Sequence, residues 1–352
     1  MSSQPLTRNR LAALVVGLFI LTALSWYRLT QPAPVAWDVI QGETMGTTYT
    51  VKLLASLDRG TRAEIEIVLE KVNTGMSTYR EDSELSRFNT SGTNPFKLST
   101  DVFQIMYDAL QLSRETSGAF DITVGPIVNA YGFGPDIQIE LPTEAELETL
   151  RPRVGYQHLS LDESVSTIQK DTPEVYCDLS AIAKGYGVDE VVRVLESKSV
   201  ENYFVEIGGE VRCRGTNPDG VPWRIGIEKP LAKAREVHRI VSLSDRAMAT
   251  SGTYRNYVEA NGKQVSHTID PRTGRPVSHS VLSVTVIHDS CEWADGYATA
   301  LTVMGEKEGL AFAQNRNLAV LMLIKEENGT LREAISPAFE SYLEENVTDE
   351  SN

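Results

Sequence analysis

Apolar residues recur at helical spacing in several stretches of the chain. Ile65, Val68, Leu69, Val72 and Met76 share a face behind Thr61 and Glu64, which have the spacing of a capping box. Val102, Phe103, Met106 and Leu110 do the same behind Ser99 or Thr100, with Gly118 as the stop. Thr143 and Glu146 repeat the box for a short helix. Ala181, Ile182, Val188, Val191, Val192 and Leu195 form an apolar face behind Asp178 or Ser180 as N-cap. The stretch CEWADGYATALTVM reads as helix after Ser290. Between these stretches the pattern shortens to that of strands. GETMGTTYTVKLLA predicts a strand pair or a bent strand, HLSLDESVSTIQK a hairpin, and YFVEIGGEVRCRG two strands joined at Gly208-Gly209. NPDG at Asn217 to Gly220 and the Asn261-Gly262 step predict hairpin turns, because those residues accept positive φ cheaply. LSVTVIH reads as an alternating strand and NLAVLMLIK as a buried one. Hairpins interspersed with helices predict an α+β fold, its sheet mostly antiparallel and its helices flanking.

One apolar run stands apart. Arg8 and Arg10 precede Leu11 to Tyr27, and a Pro-bearing stretch follows, the layout of an export signal or an N-terminal anchor. Basic residues on its N-terminal side put that end in the cytoplasm and deliver the rest outside it. Residues 1–36 are therefore read as a membrane-directed segment and linker, and residues 37–352 as one compact unit with room for two lobes.

The remaining composition narrows the choice of partner. Forty-eight acidic residues against 33 basic ones give a formal charge of −15, which argues against a protein that wraps nucleic acid. A phosphate-bearing ligand then needs a local site or a bound cation. Cys177, Cys213 and Cys291 are odd in number with no CxxC spacing, so they read as small buried apolar residues.

No P-loop, no GxGxxG after a strand, no HExxH and no GxSxG occurs, and the five histidines are scattered. Candidate chemistry lies elsewhere. Asp295 and Thr299 fall one helical turn apart on a face whose neighbours Trp293, Tyr297 and Leu301 are too apolar for free solvation. Two hard oxygens so placed suit Mg²⁺ or Ca²⁺, unless the pair is simply solvated. Lys184 lies in the first turns of its helix beside Gly185 and Gly187, each costing about 1 kcal/mol in a helix interior. Close approach of a ligand or tight packing on a strand would account for them, and a lysine near a helix N-terminus would reinforce an anion site. In SGAFDITVGPIVNAYGFG, Phe120 and Tyr131 could stack on a flat ring and Asp121 could accept hydrogen bonds from it, while a plain loop and strand fits equally. His267, at the end of a hairpin strand, is a candidate general base or a surface histidine.

Taken together, ETMGT, STYREDSELSRFN, GAFDITVGP, DLSAIAKGYGVD, VEIGGEVRCRG, SGTYRN, SHTIDPRTGRP and WADGYATAL resemble, in this order, the motifs of the ApbE family of FAD:protein FMN transferases. The similarity runs from about Val39 to about Leu323. It implies an ApbE-like α+β flavin transferase that takes FAD, attaches FMN through a phosphoester to a threonine or serine of a target protein, and releases AMP. It further implies FAD contacts at Met45, Tyr79, Ala119, Phe120, Asp121, Asp178, Lys184 and Ile269. By the same resemblance Mg²⁺ is held by the Ala181 carbonyl, Asp295 and Thr299, and His267 is the base, with Lys184 neutralising charge. Ser180 stands where many members have glycine. The implied acceptors are membrane redox subunits, such as those of sodium-translocating quinone reductase or Rnf-type complexes. That places the catalytic unit on the periplasmic side of a bacterial inner membrane. A Mg²⁺-dependent FAD pyrophosphatase would use the same residues, and a non-catalytic FAD carrier would need no base.

Overall fold

The computed structural model of the protein describes residues 37–54, 59–135, 141–230, 236–253, 257–260 and 263–343, together with Thr22 and Trp26. The apolar run Leu11 to Tyr27 is otherwise outside the described residues. Among the described residues no helix is long and apolar enough to cross a membrane.

Residues from Asp38 onward form one unit around an eight-stranded sheet. Its strands are β1 (Asp38–Thr44), β2 (Thr47–Leu53), β3 (Tyr203–Ile207), β4 (Glu210–Arg214), β5 (Arg246–Gly252), β6 (Val281–His288), β7 (Ala319–Lys325) and β8 (Leu331–Ile335). Spatial order equals chain order and each neighbouring pair is antiparallel, so the sheet is a meander into which helices and hairpins are inserted. This matches the expected mostly antiparallel α+β architecture.

The largest insertion, between β2 and β3, carries α1 (Arg59–Met76), α2 (Glu84–Asn89), α3 (Thr100–Glu115), α4 (Gly125–Ala130), α5 (Glu144–Leu150) and α6 (Ala183–Ser197). A small sheet of Phe96–Lys97, Thr167–Lys170 and Leu159–Asp162 lies among them. The last helix, α7 (Cys291–Asn315), joins β6 to β7 and kinks at Gly305, whose φ of +75° no helix interior holds. Alternation in β3 sends Tyr203, Val205 and Ile207 into a core with Ile65 and Leu69 of α1 and Val188, Val191 and Leu195 of α6. A second core joins α3 and α7 to β6 and β7.

Several local expectations change. Helix α1 begins at Arg59, so Thr61 lies within its first turn and is not the N-cap. Helix α6 begins only at Ala183, with Ile182 at the N-cap; Asp178 and Ser180 belong to the turn before it, where Asp178 Oδ1 accepts from the Ser180 N–H. The NPDG turn forms, but it leads from β4 to Trp223–Glu228, which pairs with Val237–Leu243 in a separate hairpin. Good turn chemistry sets the local reversal and cannot choose the strand's partner. Strand β6 is buried on both faces instead of alternating, because α7 covers one side of it. The segment after Asp121 is a 3₁₀ turn followed by α4, neither loop nor strand. The Asn261-Gly262 step lies outside the described residues, between paired strands Tyr257–Ala260 and Lys263–Ser266.

Candidate active site

A cavity of about 930 Å³ opens where the β3–β4 turn meets the first turns of α6 and α7. Its wall includes Tyr79, Ala119, Phe120, Asp121, Asp178, Ala181, Lys184, His267, Ile269, Asp295 and Thr299, drawn from segments up to 220 positions apart in the chain (Tyr79 to Thr299). Met45 is not in the wall. It forms the β1–β2 turn with φ +48°, donates its N–H to Asn73 Oδ1 at 3.2 Å, and lies over Gly187 of α6.

The start of α7 is held by Asp189 of α6. The Asp189 carboxylate accepts from the Cys291 and Glu292 N–H groups, both at 3.1 Å, and from Ser290 Oγ at 2.7 Å, with Arg212 at 2.5 Å as its ion-pair partner. Ser290 is the N-cap, as its side chain accepts from the Trp293 N–H. An acceptor for two orphan N–H groups on the neighbouring helix fixes how the two helices meet. They meet closely: a Cβ on Gly185 would lie 2.3 Å from the Cys291 carbonyl oxygen. Gly187 likewise leaves room for Met45 Cε and the Ile207 side chain. Packing between elements, not ligand approach, is what both glycines serve.

At the contact, the Gly185 N–H donates to Asp295 Oδ2 at 3.0 Å. In an α-helix that N–H would seek the carbonyl four residues earlier, that of Ala181. Donation to Asp295 leaves the Ala181 carbonyl unused by Gly185, and Ala181, Asp295 and Thr299 all line the cavity. Their oxygens are all hard, with one carboxylate among them, which suits a divalent cation that keeps waters and ligand oxygens in its shell. Among the described residues no group of three His, Cys, Asp or Glu side chains is placed to hold a metal. The residues present therefore fit Mg²⁺.

The charges here are interdependent. Lys184 Nζ lies 2.7 Å from Glu210 Oε1. Burial works to lower the lysine's pKa, but Asp295 and then Glu210 more than offset this and hold it above the ordinary value. Burial pushes Glu210 up to about 8 against the pull of Lys184, with Asp295 adding to the rise. Asp295 is raised by burial, opposed by Lys184 and the Gly185 N–H. A divalent cation would relieve this strain by favouring the ionised carboxylates.

The flavin-side residues take different parts. Asp121 already accepts from the Thr123 N–H at 2.9 Å, Thr123 Oγ1 at 2.7 Å and the Tyr156 N–H at 2.7 Å, so it holds the turn that presents Ala119 and Phe120. Tyr131, read as a stacking ring, instead packs with Ile127, Leu147 and Ile269 outside the cavity wall. Tyr79 is 69% exposed at the rim. His267 meets Phe133 edge to face, ring centroids 6.1 Å apart, and both line the cavity. Phe133 and Glu210 went unassigned in the sequence reading. The acid directly after two glycines at a strand end was the available signal for Glu210.

The family model described as "ApbE family" matches residues 45–322. An FAD:protein FMN transferase of Vibrio cholerae is 49% identical over 310 residues, 86% of this chain and 92% of the relative. One from Haemophilus influenzae is 44% identical over 316 residues, 87% and 91% of the two chains. Among solved structures, the flavin transferase ApbE from Vibrio cholerae superposes with a TM-score of 0.81 at 47% identity, covering 88% of this chain and all of that one. The apo flavinyl transferase ApbE of Pseudomonas stutzeri gives 0.79 at 37% identity, covering 88% and 97%.

Proposed function

The chain belongs to the ApbE family, a family of transferases, and we propose that it is a Mg²⁺-dependent FAD:protein FMN transferase that esterifies a threonine or serine hydroxyl. The observation that carries this reading is the shared wall: His267, Lys184, Asp295, Thr299 and Ala181 line one cavity.

His267 takes the proton of the acceptor hydroxyl as its oxygen forms the new bond to the FMN-side phosphorus. The bond from that phosphorus to the bridging oxygen breaks, and AMP leaves with the electron pair. Lys184 offsets the charge on the phosphoryl oxygens. Ala181, Asp295 and Thr299 would hold Mg²⁺, which when bound supplies positive charge to the diphosphate and steadies the leaving phosphate. Phe120 and Ile269 offer apolar surface to a ring system, and Tyr79 closes the rim. The acceptor is a redox subunit at a bacterial inner membrane, of the sodium-translocating quinone reductase or Rnf type. The catalytic unit lies on the periplasmic side, a reading supported by Arg8, Arg10 and the apolar run that follows them.

Incubating the full chain with FAD, Mg²⁺ and such a subunit should yield a fluorescent acceptor heavier by the mass of an FMN moiety. His267→Ala should keep FAD affinity and lose roughly 10²- to 10⁴-fold in transfer rate. Free FMN and AMP without adduct would mean hydrolysis instead, and unchanged FAD would mean a carrier.

A further inference from the structure

Glu210 is a buried acid in the cavity wall to which the transfer chemistry assigns no task. It follows Gly208 and Gly209, whose φ values of +62° and +109° suit glycine and make the β3–β4 turn. A Cβ on Gly208 would lie 3.3 Å from Lys184 Cδ and 2.9 Å from Thr47 Cγ2, so the bare turn lets the lysine stem pass over it. Glu210 Oε1 accepts from Lys184 Nζ at 2.7 Å, with 3% of the glutamate side chain and 31% of the lysine side chain exposed. Oε2 is buried and, among the described residues, no hydrogen-bond donor meets it. A carboxylate kept in this state is costly, and such groups persist where a site needs them.

The same ammonium is also in the field of Asp295, and both side chains line the same cavity. Asp295 Oδ2 is engaged by the N–H of Gly185, so the aspartate is tied to the helix backbone one residue from Lys184. A lysine so placed has two carboxylates to choose between, and it is found on Glu210. We propose that Glu210 is a positioning residue that holds Lys184 off Asp295, so that the Asp295 carboxylate stays open to a divalent cation. This rests on the cation site read above. Without Glu210 the ammonium turns to Asp295 and competes with the cation for it. Glu210 thus acts through Lys184 and has no need to touch the cation itself.

Calorimetric titration of the full chain with Mg²⁺ tests this without reference to turnover. Glu210→Ala should weaken Mg²⁺ binding roughly ten- to a hundredfold, the scale of a charged hydrogen bond. Lys184→Met removes a positive charge near Asp295, so it should not weaken binding in the native background, and it should restore most of the loss in the double variant, a coupling of roughly tenfold or more. Effects that multiply independently to within about twofold overturn the proposal, because Glu210 then acts by its own charge. Should Glu210→Ala fail to fold by circular dichroism, Glu210→Gln replaces it in the same cycle. Gln keeps the volume and an acceptor for the ammonium, so a smaller coupling of roughly threefold is expected, and independence again overturns the proposal. A native chain that takes no Mg²⁺ would instead sink the cation-site reading, which the cycle thereby separates from the role of Glu210.

Discussion

Helices α5 and α6 begin in opposite ways. At α5 the Thr143 side chain accepts from the Glu146 N–H, and the Glu146 carboxylate accepts from the Thr143 N–H at 2.7 Å. Both partners are exposed and lie within one turn of sequence. At α6 the N-cap is Ile182, which has no side-chain oxygen, and the Gly185 N–H finds its acceptor 110 residues away on Asp295. The first start is complete by itself. The second is incomplete until α7 arrives, and what completes it is also a candidate cation ligand. An unmet local rule marks the site here, because the group left open is the one tertiary structure uses.

Asp295→Ala should break the second start most severely. It removes the acceptor of Gly185 and the carboxylate of the cation site together, and Mg²⁺-dependent transfer should fall at least roughly 10²-fold in a fluorescence assay of the acceptor. Full activity would mean that the cation is held elsewhere. Gly185→Ala drives a methyl group into the Cys291 carbonyl, where no flexible side chain can yield. A loss of about 1–3 kcal/mol in urea unfolding is expected, with weaker Mg²⁺ binding as the two helices part. Unchanged stability would show that the helices separate freely. Thr143→Ala should have the smallest effect, about 1 kcal/mol or less in unfolding and none on transfer rate. A drop in transfer with that variant would erase the contrast between the two starts.

Much of the fold was legible because its determinants are local. The capping box at Thr143, the Ser290 cap, the Gly208-Gly209 turn and the hairpin Leu159 to Lys170 depend on residues a few positions apart, and each forms as its spacing predicts. The N-cap of α6 was misplaced for the opposite reason: Asp178 and Ser180 have the right chemistry, but their side chain and backbone pair with each other in a turn, and the helix starts later. NPDG failed as a hairpin because the partner of Trp223–Glu228 is chosen by packing on the sheet face, where Trp223 lies against Phe204 at 5.4 Å between ring centroids.

The site residues came from motif order, and the cavity gathers all of them but Met45. Their electrostatic connections were not readable. Nothing near Lys184 in the chain names Glu210, and nothing near Cys291 names Asp189, since both contacts join elements brought together only by the sheet.

Amino-acid order by itself determined which stretches form most of the helices and strands, the apolar face of the helices, and, through eight ordered motifs, the family. Those properties depend on spacing along one chain, within reach of propensity and periodicity. Tertiary structure alone decided that the α6 start is completed by Asp295, that Lys184 rests on Glu210, and that Gly185 yields space to a carbonyl. Each is a short-range contact between residues distant in sequence. Burial, by stripping water from a few charges of a −15 chain, is what makes their relative placement matter.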